Sequence, residues 1–242
     1  MKRHIPNLLT MCNLVCGVVA LILLTDRPVE AMGYVPGLLF LAAFFDLLDG
    51  AIARALGVSG EMGKQLDSLA DVISFGLVPT FLVYRFLEAS LPAEWMALRW
   101  ISLLHVCAAA YRLARFNIST DQTTDFLGMP SPAHGLFWAA MALSMQEQDW
   151  PSVLGYTQWS LLLVFLSMLT SWLMVSKMRM FSFKFKPGGF SANRIAYTYI
   201  GLLPLVLVLG LLVLPGILTT LVVALLLYMA LSAIYAVQHH SR

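Results

Sequence analysis

The chain has 242 residues, of which 60% are hydrophobic and only 12% charged, with a mean hydropathy of +0.80. A soluble domain carries about 25% charged and 45–50% apolar residues, so the composition excludes a soluble domain with an anchor and indicates a polytopic, all-α membrane bundle. The net charge of +2 is too small to suggest a nucleic-acid partner; the position of the charges matters more than their sum.

The N-terminus carries Lys2 and Arg3, then an apolar stretch interrupted by Asn7, Thr10 and Asn13. It has no convincing small-residue cleavage site and reads as a retained first span. A hydrocarbon core of about 30 Å needs about 20 helical residues. That window predicts eight spans, at 7–25, 32–54, 66–88, 95–116, 133–147, 157–176, 194–213 and 217–237, with six or seven if the short fifth or the last pair is merged or demoted. Pro130 and Pro132 flank the fifth, and Leu214-Pro215-Gly216 forms a tight turn between the last two. Residues 1–190 read as a catalytic core and 191–242 as a C-terminal helical hairpin.

Lysines and arginines favour the cytoplasmic side of a membrane protein. With the N-terminus in the cytoplasm, Lys2, Arg3, Arg54, Lys64, Arg112, Arg115, Lys177, Arg179, Lys184, Lys186, Arg194 and Arg242 fall on that side. Only Arg27, Arg85 and Arg99 fall on the other. This bias supports an even number of spans, with both termini cytoplasmic.

The chain has 13 acidic residues, and four of them, Asp46, Asp49, Asp67 and Asp71, lie in one stretch. The topology places Asp46 and Asp49 in the last turns of the second span and Asp67 and Asp71 in the first turns of the third. The linker 56–62 carries Gly57 and Gly60, so the two spans form an antiparallel hairpin with four carboxylates at one depth near the cytoplasm. Each pair is spaced i,i+3 or i,i+4 and shares a helix face. Gly50, Ala53 and Gly63 lie on the same faces and permit close approach of a backbone or a ligand.

Four ionised carboxylates crowded in a low dielectric repel one another. Protonation, pairing with Lys64 and Arg54, or divalent cations would relieve that repulsion. Oxygen ligands without Cys or His select hard ions, Mg²⁺, Mn²⁺ or Ca²⁺. A two-metal carboxylate site suits phosphoryl chemistry. The competing interpretations are helix-end aspartates paired with local cations, an ion or proton relay in a transporter, and an inert scaffold. Relay acids usually lie near the membrane midplane, whereas these lie near one interface.

The spacing Asp46-x2-Asp49-Gly50-x2-Ala53-Arg54-x8-Gly63-x3-Asp67-x3-Asp71 resembles, at every position, the signature of the CDP-alcohol phosphatidyltransferases. The resemblance implies transfer of a phosphatidyl group from a CDP-linked lipid to an alcohol, with release of CMP. It implies two divalent cations, Mg²⁺ or Mn²⁺, on Asp46, Asp49, Asp67 and Asp71, with Asp71 as the base. Gly50, Ala53, Arg54 and Gly63 would line the CDP pocket.

Three further stretches resemble the phosphatidylserine synthase branch: IPNLLTMCNLVCG at 5–17, YRLARFNI at 111–118 with FLGMPSPA at 126–133, and LMVSKMRMFSFK at 173–184. Met129 stands where that branch often shows Leu. Asn7, Thr10, Asn13 and Gly17 form one polar stripe on an apolar helix, which faces either a neighbouring helix or, as the resemblance suggests for Thr10 and Asn13, the nucleotide. Arg112, Arg115 and Asn117 would hold the serine carboxylate, or else the arginines are ordinary interfacial anchors. Lys177, Arg179, Lys184 and Lys186 read as a positive-inside signal or a contact with anionic lipid heads, or else bind the substrate's phosphate or carboxylate.

His105 and His134 read as packing or local hydrogen-bonding groups. Glu61 reads as a solvated linker residue, and Cys12, Cys16 and Cys107 as packed thiols without metal or redox spacing. No histidine is followed by x-Lys, so the phosphohistidine route is not expected, and direct attack by the serine hydroxyl is. The expected partners are CDP-diacylglycerol, L-serine, membrane lipids and a second copy of the chain, with the active site facing the cytoplasm of a bacterial or archaeal cell. Other acceptors (glycerol 3-phosphate, inositol phosphate, choline) and an ion-coupled transporter are the alternatives.

Overall fold

The computed structural model describes residues 4–58, 60–118, 126–180, 194–213 and 216–240. Lys2, Arg3, Lys184, Lys186 and Arg242, the 181–184 end of the third stretch, and Leu214 and Pro215 of the expected turn lie outside these residues. Every expected span is a helix. The elements are α1 (His4–Asp26), α2 (Pro28–Leu56), α3 (Glu61–Ser90), a 3₁₀ segment (Ala93–Ser102) running into α4 (Leu103–Ile118), α5 (Ser131–Glu147), the short α6 (Trp150–Leu154), α7 (Tyr156–Val175), α8 (Arg194–Val213) and α9 (Ile217–His240). One two-residue antiparallel ladder joins β1 (Phe126–Leu127) to β2 (Arg179–Met180).

The fold is a polytopic helical bundle. Four of its helices among the described residues, α1, residues 30–56 of α2, α3 and α7, are long and apolar enough to cross a membrane. The fourth expected span differs in detail. Its first part is a ten-residue 3₁₀ helix with exposed Trp95 and Trp100, starting after Pro92 and carrying Glu94 and Arg99. Such a segment, with aromatic and charged side chains together, suits the membrane–water boundary better than the hydrocarbon interior.

The fifth is the most enclosed. At 17 residues it is about 26 Å long, less than the hydrocarbon thickness, and Phe137, Trp138, Ala139 and Ala140 are buried in succession. A helix apolar all round is stable where neighbours cover every side. Helices α2, α3, α7 and α9 all contact it.

Helix α1 packs along α2 and α3, and α4 packs on α7. In α1 and α3 the fit depends on glycine: a methyl at Gly17 would lie 2.5 Å from Ser74 Oγ. Helix α9 lies against α8 and α5, and Glu147 at the end of α5 accepts the Thr219 N–H at 3.0 Å, capping the first turn of α9. This supplies a partner for one of the four N–H groups every helix leaves unsatisfied at its start.

The α2–α3 turn is tighter than expected. α2 ends at Gly57, whose φ of 62° is the left-handed conformation glycine adopts without a steric penalty. α3 begins at Glu61, so Glu61 is an exposed first-turn helix residue and not a linker residue. The acidic side chain there complements the positive end of the helix dipole. Cys16 is buried and Cys12 half-buried, but Cys107 is exposed on the outside of α4, so only part of the packed-thiol expectation holds. In a lipid-embedded bundle the outward positions of a helix are apolar too, and residue type alone does not separate core from periphery.

Candidate active site at the aspartate hairpin

The α2–α3 hairpin brings all four aspartates to one end of the bundle, as the spacing predicts. One carboxylate oxygen from each of Asp46, Asp49 and Asp67 lies within 4.8 Å of the others. Asp71 completes the group from one turn along α3, within electrostatic reach of Asp46 and Asp67. Asp49 and Asp71 are buried, at 6% and 5% exposure, while Asp46 and Asp67 are half-buried.

The polar stripe of α1 covers the aspartates. Thr10 Oγ1 donates to Asp49 Oδ2 at 2.5 Å, and Asn13 Nδ2 donates to Asp71 Oδ1 at 3.3 Å. Asn7 Oδ1 lies against Gly63, 3.4 Å from where a Cβ would stand, and Gly17 packs on Ser74. The stripe is thus both a helix–helix contact and a wall of the site. Sequence spacing showed the stripe; it could not show that two of its members hydrogen-bond to carboxylates 39 and 58 residues away.

The electrostatics leave the group short of positive charge. Among the described residues the ion pairs are Arg27–Glu30, Arg85–Glu88 and Arg99–Glu88, and none involves these aspartates. Lys64, a candidate counter-ion by sequence, is engaged elsewhere: its Nζ donates to Asn117 O at 2.8 Å, at the C-terminal end of α4 where carbonyls lack helical partners. Arg54 acts on Asp49 from a distance, and its guanidinium folds over Gly50, where a methyl would meet Nη1 at 3.2 Å. Ala53 sits half-buried on the same helix end. Asp67 Oδ1 and Asn13 Oδ1 are buried oxygens with no hydrogen-bond partner.

Orphaned buried acceptors are costly unless something donates to them or coordinates them. Three converging carboxylates, two orphaned oxygens and no sulfur or imidazole therefore fit a hard divalent cation.

Arg112 is the buried cation of the site. It is 8% exposed, faces Asp71 electrostatically, and donates from Nη1 to Ser131 Oγ at 2.9 Å. Its Nε is buried without a partner, leaving a donor direction for an anionic ligand. Ser131 lies inside the quoted FLGMPSPA stretch but was not singled out by sequence; a lone serine after proline carries no signal of its own.

Arg115 and Asn117 have other work. Arg115 donates to Val175 O at 2.7 Å and Ser176 O at 3.2 Å, satisfying the carbonyls at the end of α7. Asn117 Nδ2 reaches Ser68 Oγ at 2.8 Å and Gln65 Oε1 at 3.3 Å, tying α4 to α3 one residue beyond Asp67.

Two of the three stretches singled out after the aspartate signature, 111–118 with 126–133 and 173–184, converge. Gly128 N donates to Met178 O and Met129 N to Leu173 O, clamping the loop before α5 onto the end of α7 where Arg115 also binds. Gly128, at φ 73°, could carry no side chain: a Cβ would lie 2.5 Å from Met174 O. An open apolar groove lined by Leu8, Met11, Cys12, Val15, Cys16 and Phe45 runs along α1 and α2, and Phe45 is the residue before Asp46.

A profile of the CDP-alcohol phosphatidyltransferase family matches residues 3–237. The chain is 32% identical over 188 residues to a protein of Bacillus subtilis named CDP-diacylglycerol–serine O-phosphatidyltransferase, covering 75% of this chain and 92% of that one. It is 32% identical over 166 residues to a protein of the same name from Mycobacterium bovis, covering 64% of this chain. It is 37% identical over 131 residues to an archaetidylserine synthase of Methanothermobacter thermautotrophicus, covering 53% of each. The chain spans about half the length of the mycobacterial relatives it matches, at 55%. Divalent metals are the family's cofactors, and the oxygen cluster of Asp46, Asp49 and Asp67 is suited to them. By the extent of the profile match and the coverage of its relatives, the chain belongs to the CDP-alcohol phosphatidyltransferase family.

Proposed function

We propose that the protein is a CDP-diacylglycerol–serine O-phosphatidyltransferase that joins the phosphatidyl group to L-serine and releases CMP. The observation that carries this is the juxtaposition of a carboxylate cluster with one buried arginine, Arg112, whose Nε has no partner. The names of the relatives support serine as the acceptor.

Asp46, Asp49, Asp67 and Asp71 would hold two divalent cations, Mg²⁺ or Mn²⁺. When bound, these ions offset the charge that develops on the pyrophosphate oxygens. Thr10 and Asn13 orient Asp49 and Asp71 through the hydrogen bonds described above. Gly50, Ala53, Arg54 and Gly63 leave space and one guanidinium for the CDP moiety, with Thr10 and Asn13 opposite. The groove of Leu8, Met11, Cys12, Val15, Cys16 and Phe45 offers an apolar track for an acyl chain beside Asp46.

Arg112 binds the serine carboxylate. The serine hydroxyl attacks the phosphorus that bears the diacylglycerol; the new O–P bond forms as the bond to the CMP oxygen breaks. Asp71 takes the hydroxyl proton, which a carboxylate within hydrogen-bond reach can do as the bond forms. A single displacement of this kind inverts configuration at phosphorus. Arg115 and Asn117, assigned to serine by the motif, support Arg112 by fixing the ends of α4 and α7.

The proposal places this multi-pass protein in a bacterial or archaeal cell membrane as a homodimer, with both termini and the aspartates on the cytoplasmic side. Residues 1–190 carry the chemistry, and 191–242 form a packing hairpin. The test is CMP release from CDP-diacylglycerol by the purified protein, offered serine, glycerol 3-phosphate, inositol phosphate or choline in turn, with and without a chelator. Release with serine alone, abolished by the chelator and restored by Mg²⁺ or Mn²⁺, is the expected result. Release with another acceptor reassigns the alcohol, and cation flux in proteoliposomes without CMP release overturns the enzyme.

A further inference from the structure

Immediately after Asp71, α3 stops being an α-helix for six residues. Val72–Leu77 winds as a π-helix, and the Val78 N–H bonds to Ile73 O, five residues back. A π-turn accommodates one extra residue, so it rotates everything before it by about 100° relative to an uninterrupted α-helix. The face on which Asp67 and Asp71 lie, relative to the packed face of residues 78–90, is therefore set by this turn.

The turn is gripped at three consecutive residues by three different helices. Ser74 lies against Gly17 of α1 and donates from Oγ to Asn13 O at 3.0 Å. Phe75 lies against Gly135 of α5, where a Cβ would stand 2.5 Å from Phe75 Cδ1. Gly76 lies against Ala109 of α4, at 2.9 Å for the corresponding Cβ.

The residue four positions after Phe75 is Pro79, which has no N–H to offer the Phe75 carbonyl, and a buried carbonyl needs another donor. Phe75 O has one: His134 Nδ1 lies 3.0 Å away. A carbonyl only accepts, so Nδ1 carries the proton. With one proton on each ring, His134 Nε2 is then the acceptor for His105 Nδ1–H, 2.9 Å away. Ser171 Oγ of α7 lies 3.2 Å from the same His105 nitrogen. Both rings are fully buried, and His105 is edge-on to Trp138. The chain Phe75–His134–His105–Ser171 thus links the π-turn to α5, α4 and α7. Nothing in the proposed reaction uses either histidine directly.

We infer that His134, backed by His105, is a positioning residue that pins the π-turn of α3 and so sets the position of Asp71. The inference rests on the proposed role of Asp71 as base. The Nδ2 of an asparagine occupies nearly the place of histidine Nδ1, so His134→Asn keeps the donor to Phe75 O, whereas His134→Leu removes it. Gly135→Ala pushes on the turn from the same helix without touching the histidine.

The test uses the full chain in lipid nanodiscs with serine and CDP-diacylglycerol. His134→Leu and Gly135→Ala are expected to lower kcat at least tenfold with both KM values within twofold, while His134→Asn keeps kcat within threefold. In parallel, amide hydrogen exchange over residues 72–80 rises at least tenfold in His134→Leu and Gly135→Ala but not in His134→Asn.

Wild-type kcat in both disruptive variants overturns the inference, as does equal loss in His134→Asn and His134→Leu, or a change confined to KM. If His134→Leu does not accumulate, the contrast between Gly135→Ala and His134→Asn decides. If the wild type releases no CMP with any acceptor, the functional proposal fails and the exchange contrast alone judges the positioning role.

Discussion

The two ends of α3 handle charge in opposite ways. At the far end, Glu88 accepts from Arg85 at 2.7 Å and from Arg99 at 3.1 Å, and the Arg99 guanidinium lies over Tyr84 and Trp100. One carboxylate is answered by two cations and two aromatic faces, and the orphaned atoms left there are donors, the Nε of Arg85 and of Arg99, not carboxylate oxygens. At the near end, Asp67 and Asp71 meet Asp46 and Asp49 with no ion pair among the described residues, and two buried oxygens have no donor. A charged group inside a bundle is either neutralised by its own chain or kept for something that arrives. The two ends of one helix show both cases, and the unanswered end is the one where chemistry is expected.

That contrast can be broken at three points. The largest effect is expected from Asp71→Asn, which keeps the size of the side chain but cannot take a proton. Loss of a general base costs about 10²–10⁴-fold in rate. Turnover should fall by about 10³-fold while binding of the CDP-lipid, measured by equilibrium dialysis, changes far less. Intact turnover at saturation with weakened binding would remove the base role. Next is Arg112→Lys, because lysine cannot reproduce the guanidinium fork. Serine KM should rise by about tenfold with the KM for CDP-diacylglycerol unchanged; the reverse pattern would move Arg112 to the nucleotide.

The smallest effect is expected from Glu88→Gln. A partly exposed ion pair contributes about 0–1 kcal/mol, so thermal stability should fall by a few degrees and turnover should not change. A turnover defect in that variant would mean that the far end is not merely self-neutralised structure.

How much was legible beforehand differs from residue to residue. Asp46, Asp49, Asp67 and Asp71 could be placed on one hairpin because i,i+3 and i,i+4 spacing is a local property of a helix, and a four-residue turn leaves two helices only one way to return. The eight helices followed from apolar length. Of the three residues singled out together, Arg112 is buried facing Asp71, while Arg115 and Asn117 hydrogen-bond to the end of α7 and to α3. The three are close in sequence, and only their different facing directions on α4 separate them.

The 3₁₀ start of the fourth helix was missed because its hydropathy blends into the span that follows. The exposure of Cys107 was missed because lipid-facing and core-facing residues are alike in composition. The π-turn was missed because VISFGL reads as ordinary helix; the one local mark is Pro79, which has no N–H for the Phe75 carbonyl, and helices α1, α4 and α5 pack on the turn.

The sequence by itself determined the solvent, the helices, the family and the identity of the carboxylates. These depend on composition and on short-range spacing, which the chain carries wherever it folds. Tertiary structure alone decided that Thr10 and Asn13 hold Asp49 and Asp71, that Lys64 is spent at Asn117, and that Arg112 is the cation left facing the site. It also decided the winding of α3 beyond Asp71. Each of these depends on residues far apart in the chain being brought together, and no local rule of sequence specifies which helix packs against which.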